Sequence, residues 1–123
     1  MENSNPNGIH YLVEFFGCDA EQIDSLEFWE KILPKTVKGT SMEILHSYFY
    51  KFKPQGVTGF LLLSSSHISV HTWPDKRYVA GDIFTCANEK ETDLAFKRLK
   101  KAVICEHINA QKINRGYQFL DLK

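Results

Sequence analysis

Between Met42 and Cys86 four short runs rich in β-branched and aromatic residues follow one another: Met42 to Phe52, Val57 to Leu63, Ser66 to Trp73 and Tyr78 to Cys86. Turn residues such as Pro54-Gln55-Gly56 and Pro74-Asp75 separate them, so the segment reads as an antiparallel meander. Ile9 to Phe16, ending at Gly17, reads as an earlier strand. Asp19 follows as an N-cap, and Ile23, Leu26, Trp29, Ile32 and Leu33 then recur at helical spacing. That pattern predicts one amphipathic helix stopping between Pro34 and Gly39. Thr92 to Val103 places Leu94, Ala95, Leu99, Ala102 and Val103 on one face, which predicts a second helix, and Ala110 to Leu120 a last strand. The fold class expected is α+β: a two-layer sandwich, a mainly antiparallel sheet with helices on one face. The other face then needs a partner, and pairing as a dimer supplies it.

A chain of 123 residues fits one domain, expected over 9–123 behind a flexible tail at 1–8. Acidic and basic side chains balance at 15 each, so no net field holds the molecule on nucleic acid or an anionic membrane. Binding must come from a shaped site. The polar start, MENSNPNG, resembles no signal peptide, and no apolar run approaches the ~20 residues of a membrane span, so a cytoplasmic address is expected. Cys18, Cys86 and Cys105 are odd in number and lack paired spacing, which argues against a disulfide framework and predicts free thiols.

Hydroxyls, two imidazoles, an indole and a thiol crowd into Ser64 to Cys86. If two strands pair about a turn centred near Lys76, Ser66 and Cys86 fall opposite each other, with Cβ atoms ~4.5–5.5 Å apart. The plain alternative is an ordinary hairpin with a half-buried cysteine behaving as a small hydrophobe. His67 and His71 sit about 13 Å apart along a strand, too far for one metal ion. Ser66 and His71, five residues apart, point to opposite faces at about 16 Å. They cannot react together within one regular strand. Either the strand is sharply distorted or His71 serves the Ser66 of a second subunit, as a two-fold dimer would supply twice; the dimer is favoured.

Lys51-Phe52-Lys53-Pro54-Gln55-Gly56-Val57-Thr58-Gly59, then Ser65-Ser66-His67-Ile68-Ser69-Val70-His71-Thr72-Trp73-Pro74-Asp75, then Asp82-Ile83-Phe84-Thr85-Cys86 together resemble the prokaryotic S-adenosylmethionine decarboxylases. Val13 to Asp19 resembles that family's first strand, and Ile113-Asn114-Arg115-Gly116 its tail. The resemblance implies a proenzyme that cuts itself between Ser65 and Ser66, leaving fragments 1–65 and 66–123, the second capped by a pyruvoyl group made from Ser66. The substrate amine condenses with the pyruvoyl ketone, which draws off the electrons released with carbon dioxide as pyridoxal phosphate does elsewhere, so neither that cofactor nor a metal is expected. In the same terms His71 assists processing, Cys86 reprotonates the substrate carbon, Phe52 stacks on adenine, and Trp73 belongs to the recognition motif. The aromatics could equally be ordinary sheet residues. The product would feed spermidine and polyamine synthesis, and the sites would lie between protomers.

Three positions depart from the family's pattern. Ser65 replaces a glutamate before the cut, Thr58 a processing serine, and Asp75 a glutamate that contacts ribose hydroxyls. Thr58 keeps the hydroxyl, with a more restricted rotamer. Asp75 is one methylene short, and a site built on such contacts loses discrimination without them. An arginine or ornithine decarboxylase of the same chemistry is therefore the first alternative, and an uncleaved regulatory paralogue the second. Glu14 is read as facing the dimer or the pocket, Cys18 and Cys105 as unreactive thiols, and Arg115 receives no role.

Overall fold

The computed structural model describes residues 7–116. Six antiparallel strands form one sheet: β1 (Gly8–Phe16), β2 (Ile44–Lys51), β3 (Val57–Leu63), β4 (His67–Trp73), β5 (Tyr78–Thr85) and β6 (His107–Arg115), in the order β2-β3-β4-β5-β1-β6. The meander β2 to β5 is as the turn signals foretold. β1 then closes against β5, and β6 against β1. Period-two alternation sorts the side chains. Ile9, Tyr11, Val13 and Phe15 of β1, Leu61 and Leu63 of β3, Ile68 and Val70 of β4, and Val79 and Ile83 of β5 are buried on one face.

Helices α1 (Ala20–Ile23), α2 (Leu26–Thr36) and α3 (Glu89–Ala102) cover that face, adding Ile23, Trp29, Leu33, Ala95 and Leu99 to the core. Each fully buried leucine or isoleucine among them contributes on the order of 1.5–3 kcal/mol. The expected two-layer α+β sandwich is thus present.

Several expected boundaries need correction. The single first helix is two: Ser25 caps α2 by accepting from Phe28 N–H at 3.1 Å, and Trp29 Nε1–H donates to the Ile23 carbonyl at 2.9 Å. Capping therefore outcompetes apolar spacing at the break, while Pro34 lies inside α2 rather than ending it. α3 starts at Glu89, capped by Asn88, three residues before the expected start. Gly8, placed in the expected tail, opens β1 opposite Arg115. β6 begins at His107, not Ala110; the expected strand's last residues, 117–120, lie outside the described residues. Among the described residues no helix is long and apolar enough to cross a membrane.

Candidate active site

The Ser65–Ser66 bond sits in the tight β3–β4 turn, which Leu63 N–H closes on the Ser66 carbonyl at 3.0 Å. Ser66 is 9% exposed. Its Oγ accepts from the Cys86 N–H at 3.0 Å, and the Cys86 thiol reaches the Ser65 carbonyl oxygen at 3.4 Å. Cys86 thus holds both the nucleophile of a cut at this bond and the oxygen of the carbonyl it would attack. The register differs by one from expectation: His67 pairs with Phe84 and Ile68 with Ile83, a pattern that carries on to set Ser66 against Thr85. Ser66 and Cys86 still meet, because both lie just past their strand ends, where the backbone is no longer pleated. A hollow of about 330 Å³ lined by Gly8, Ile9, Cys86, Ala87 and Glu89 opens beside the thiol.

His71 belongs to the other face. It is exposed, pairs across the sheet with Thr58, and its Nδ1 lies 2.9 Å from the Thr58 hydroxyl. Buried Ile68, Val70 and Thr72 alternate with it along β4. The fold therefore forms two separate pairs, Ser66 with Cys86 and Thr58 with His71.

A family model described as S-adenosylmethionine decarboxylase matches residues 9–116. The chain belongs to that family. It is 38% identical over 111 residues to the S-adenosylmethionine decarboxylase proenzyme of Thermococcus gammatolerans, an overlap of 90% of this chain and 78% of the relative. The proenzyme of Thermoanaerobacter sp. strain X514 is 38% identical over 112 residues, covering 91% of this chain and 90% of the relative. The crystal structure of the adenosylmethionine decarboxylase from Aquifex aeolicus VF5 superposes with a TM-score of 0.84 at 33% identity, covering 91% of this chain and 92% of that one.

The positions expected from the resemblance to meet the substrate lie at the far end of β4 from Ser66. Phe52 (47% exposed) follows β2 in a turn closed by its N–H on the Gly56 carbonyl at 2.8 Å, and its ring meets Tyr50 edge-on at 4.7 Å. Trp73 (43% exposed) ends β4 with its ring 5.5 Å from Tyr78. Asp75 sits in a 3-10 turn (Pro74–Lys76), half-exposed, 3.6 Å from the Lys76 ammonium. Phe52, Trp73 and Asp75 thus share the β2–β3 and β4–β5 turns, and none of them meets Ser66 within the chain.

Sequence reading missed a polar cluster on the open face beside Ser66. His10 Nε2 lies 2.8 Å from Asp82 Oδ1, and the His10 and His67 rings are 6.2 Å apart. Arg115, which had no role, lies over the Phe84 ring at 4.5 Å and reaches His10 Nδ1 at 3.4 Å. Burial, and then the neighbouring His10, hold His67 below the usual imidazole range. Next along the face, the Tyr78 hydroxyl donates to Glu14 at 2.7 Å; burial and this bond push Tyr78 up to about 12. Glu14, Tyr78, Asp82 and Asn109 line a hollow of about 280 Å³, so Glu14 faces a pocket. The signal was available: residues 10, 12 and 14, 80, 82 and 84, and 67, 69 and 71 share parity with the open face once the register is known. Among the described residues no group of three or more His, Cys, Asp or Glu could hold a metal ion.

Proposed function

We propose that this chain cuts itself between Ser65 and Ser66, turns Ser66 into a pyruvoyl group, and decarboxylates S-adenosylmethionine for polyamine synthesis, as a dimer with its sites between protomers. The observation that carries the reading is the double contact of Cys86 with Ser66 Oγ and the Ser65 carbonyl oxygen. The serine hydroxyl attacks that carbonyl carbon while the thiol donates to the oxygen as it gains charge. The Ser65–Ser66 amide bond breaks and an ester joins Ser65 to the Ser66 side chain. Removal of the Ser66 Cα proton then expels the Ser65 carboxylate, and hydrolysis of the remaining fragment releases ammonia and leaves the ketone. The residues suit that product, since the precursor hydroxyl and its carbonyl are already held by one neighbour.

His71 is the base for the Cα proton. In the tautomer whose Nδ1–H donates to Thr58, Nε2 is the basic nitrogen. In one chain the two pairs are separate, Thr58 and His71 on the open face within the strands and Ser66 and Cys86 past the strand ends, so the partner's copy of β4 is what brings an imidazole to Ser66. The same pairing brings Phe52, Trp73 and Asp75 to the serine end of the other protomer, where the aromatic faces hold the adenine and Asp75 the ribose. Once formed, the pyruvoyl group supplies a ketone that takes up the substrate amine and the electrons released with carbon dioxide. The Cys86 thiol returns a proton to the substrate carbon.

Intact mass under denaturing conditions tests the first step. Fragments 1–65 and 66–123, the second carrying a ketone in place of its amino group, are the expected result; a single full-length chain after long incubation overturns the reading. Release of carbon dioxide from S-adenosylmethionine, but not from arginine or ornithine, is expected next. A Ser66→Ala chain that retained activity would remove the pyruvoyl chemistry altogether.

A further inference from the structure

Two thiols outside this site are held side by side by the β1–β6 edge. The register of β1 and β6 runs out at Phe16 opposite His107, and the two segments stay bonded beyond it. Glu106 N–H donates to the Phe16 carbonyl, and Asp19 N–H to the Ile104 carbonyl, both at 3.0 Å. Between these bonds lie Gly17 and Cys18 on one segment and only Cys105 on the other. Gly17 has φ +65°, so this is a bulge whose first residue is a left-handed glycine and whose second residue, Cys18, faces Cys105. Cross-strand neighbours in a regular antiparallel pair carry Cβ atoms about 4.5–5.5 Å apart, close to the ~3.5–4.5 Å that a disulfide spans, and here the two thiols are near enough for Cys105 to act electrostatically on Cys18. Both side chains pack into the same core cluster, Cys18 fully buried and Cys105 partly exposed at its rim.

We propose that Cys18 and Cys105 form an oxidant-sensitive modification site whose disulfide rejoins covalently the two fragments left by the cut between Ser65 and Ser66. The second half of that statement rests on the self-cleavage reading; the disulfide itself does not. Cys18 belongs to fragment 1–65 and Cys105 to fragment 66–123, and β1 of the first fragment lies between β5 and β6 of the second. Until oxidation, packing and strand hydrogen bonds alone hold the pieces together.

Hydrogen peroxide is the oxidant. It converts the more accessible Cys105 thiol to a sulfenic acid and releases one water. The Cys18 sulfur then displaces the new oxygen as a second water, and the sulfur–sulfur bond forms. Burial, reinforced by Cys105 and opposed by Arg77, pushes the Cys18 thiol up to about 11; burial raises Cys105 too, against the His107 N–H that its sulfur accepts. Both are therefore thiols at neutral pH, consistent with the free state seen here, and the link forms slowly.

The test treats the purified, folded protein with hydrogen peroxide, removes the peroxide, blocks remaining thiols by unfolding in denaturant that contains N-ethylmaleimide, and compares masses with and without reductant. Expected is one species comprising both fragments, which reductant separates, with the bridge mapped to Cys18 and Cys105. The Cys105→Ser chain, altered at the rim rather than in the buried core, yields separate fragments under both conditions. If the backbone is never cut, the bridged chain is full length and lighter than the reduced one by two hydrogens, so the disulfide stands while the cleavage reading falls. Cys18 and Cys105 both carrying N-ethylmaleimide after peroxide, or a bridge mapped to Cys86, would overturn the proposal.

Discussion

Cys86 touches the scissile turn twice, and the two contacts respond differently to substitution. In Cys86→Ala the backbone N–H remains, so Ser66 Oγ keeps its 3.0 Å partner and its place. What disappears is the thiol 3.4 Å from the Ser65 carbonyl oxygen, the atom that gains negative charge as the hydroxyl attacks. Loss of a strong donor from such a position slows acyl transfer by roughly 10²–10³. A thiol is a weak donor and its contact here is long, so the expected slowing is about tenfold to a hundredfold, or ~1.4–2.7 kcal/mol. Cys86→Ser restores a hydroxyl donor on a shorter side chain and is expected to recover most of the cleavage rate while turnover of substrate stays low. The assay follows the fraction of full-length chain with time after synthesis, by intact mass. Cleavage of Cys86→Ala at the rate of the unaltered chain would refute the argument that the thiol polarises Ser65.

Co-expression of Ser66→Ala with His71→Ala chains is expected to cut the His71→Ala chain, whose intact Ser66 then meets the partner's imidazole; no cutting in the mixed dimer would return His71 to its own chain. Thr58→Val keeps the shape of the side chain but removes the 2.9 Å contact with His71, and a cleavage rate about tenfold lower with an unchanged melting temperature is expected from loss of one hydrogen bond that orients a base. His67 is held below its ordinary 6.5, so the unfolded chain binds a proton that the folded chain resists. Its contribution therefore lowers stability as the pH falls below about 6.5 and vanishes above it. Thermal melting between pH 5 and pH 8 should accordingly show a smaller acid loss in His67→Gln than in the unaltered chain, and parallel curves would remove His67 as a cause.

The sheet was legible because each of its strands is a short run bounded by turn residues, and because Val57 to Leu63 and Tyr78 to Thr85 alternate or cluster as a half-buried sheet requires. The first helix was misread for a physical reason: apolar spacing runs unbroken from Ile23 to Leu33, while the break depends on Ser25 capping and on a tryptophan indole satisfying the Ile23 carbonyl. Neither contact has a periodic signature. The meeting of Ser66 and Cys86 was foreseen through a register wrong by one, and the end of the pleat rescued it. The His10, Asp82 and Arg115 cluster stayed hidden because its members lie on β1, β5 and β6, and strand order is set by packing that no local pattern records. The Cys18 and Cys105 pair was hidden in the same way, 87 positions apart in sequence and brought together by one glycine bulge.

β4 carries the argument for the proposed site between protomers. A strand of seven residues spans about 23 Å, with the serine turn at one end and the Trp73–Asp75 turn at the other. Alternation sends His71 to the open face while the buried residues beside it bind the strand to the helices. Turning His71 away from the open face would require a slip of one residue, which would carry Ile68 and Val70 out of the core as well, at a cost on the order of 1.5–3 kcal/mol for each. In the proposed dimer, a second copy of the sheet turned about a two-fold axis would set the histidine of one β4 against the serine end of the other without disturbing either core. The open face is suited to that use: it presents Leu12, Phe16, Tyr48, Tyr50, Leu62 and Trp73 to solvent in the single chain, an apolar surface that pairing would bury.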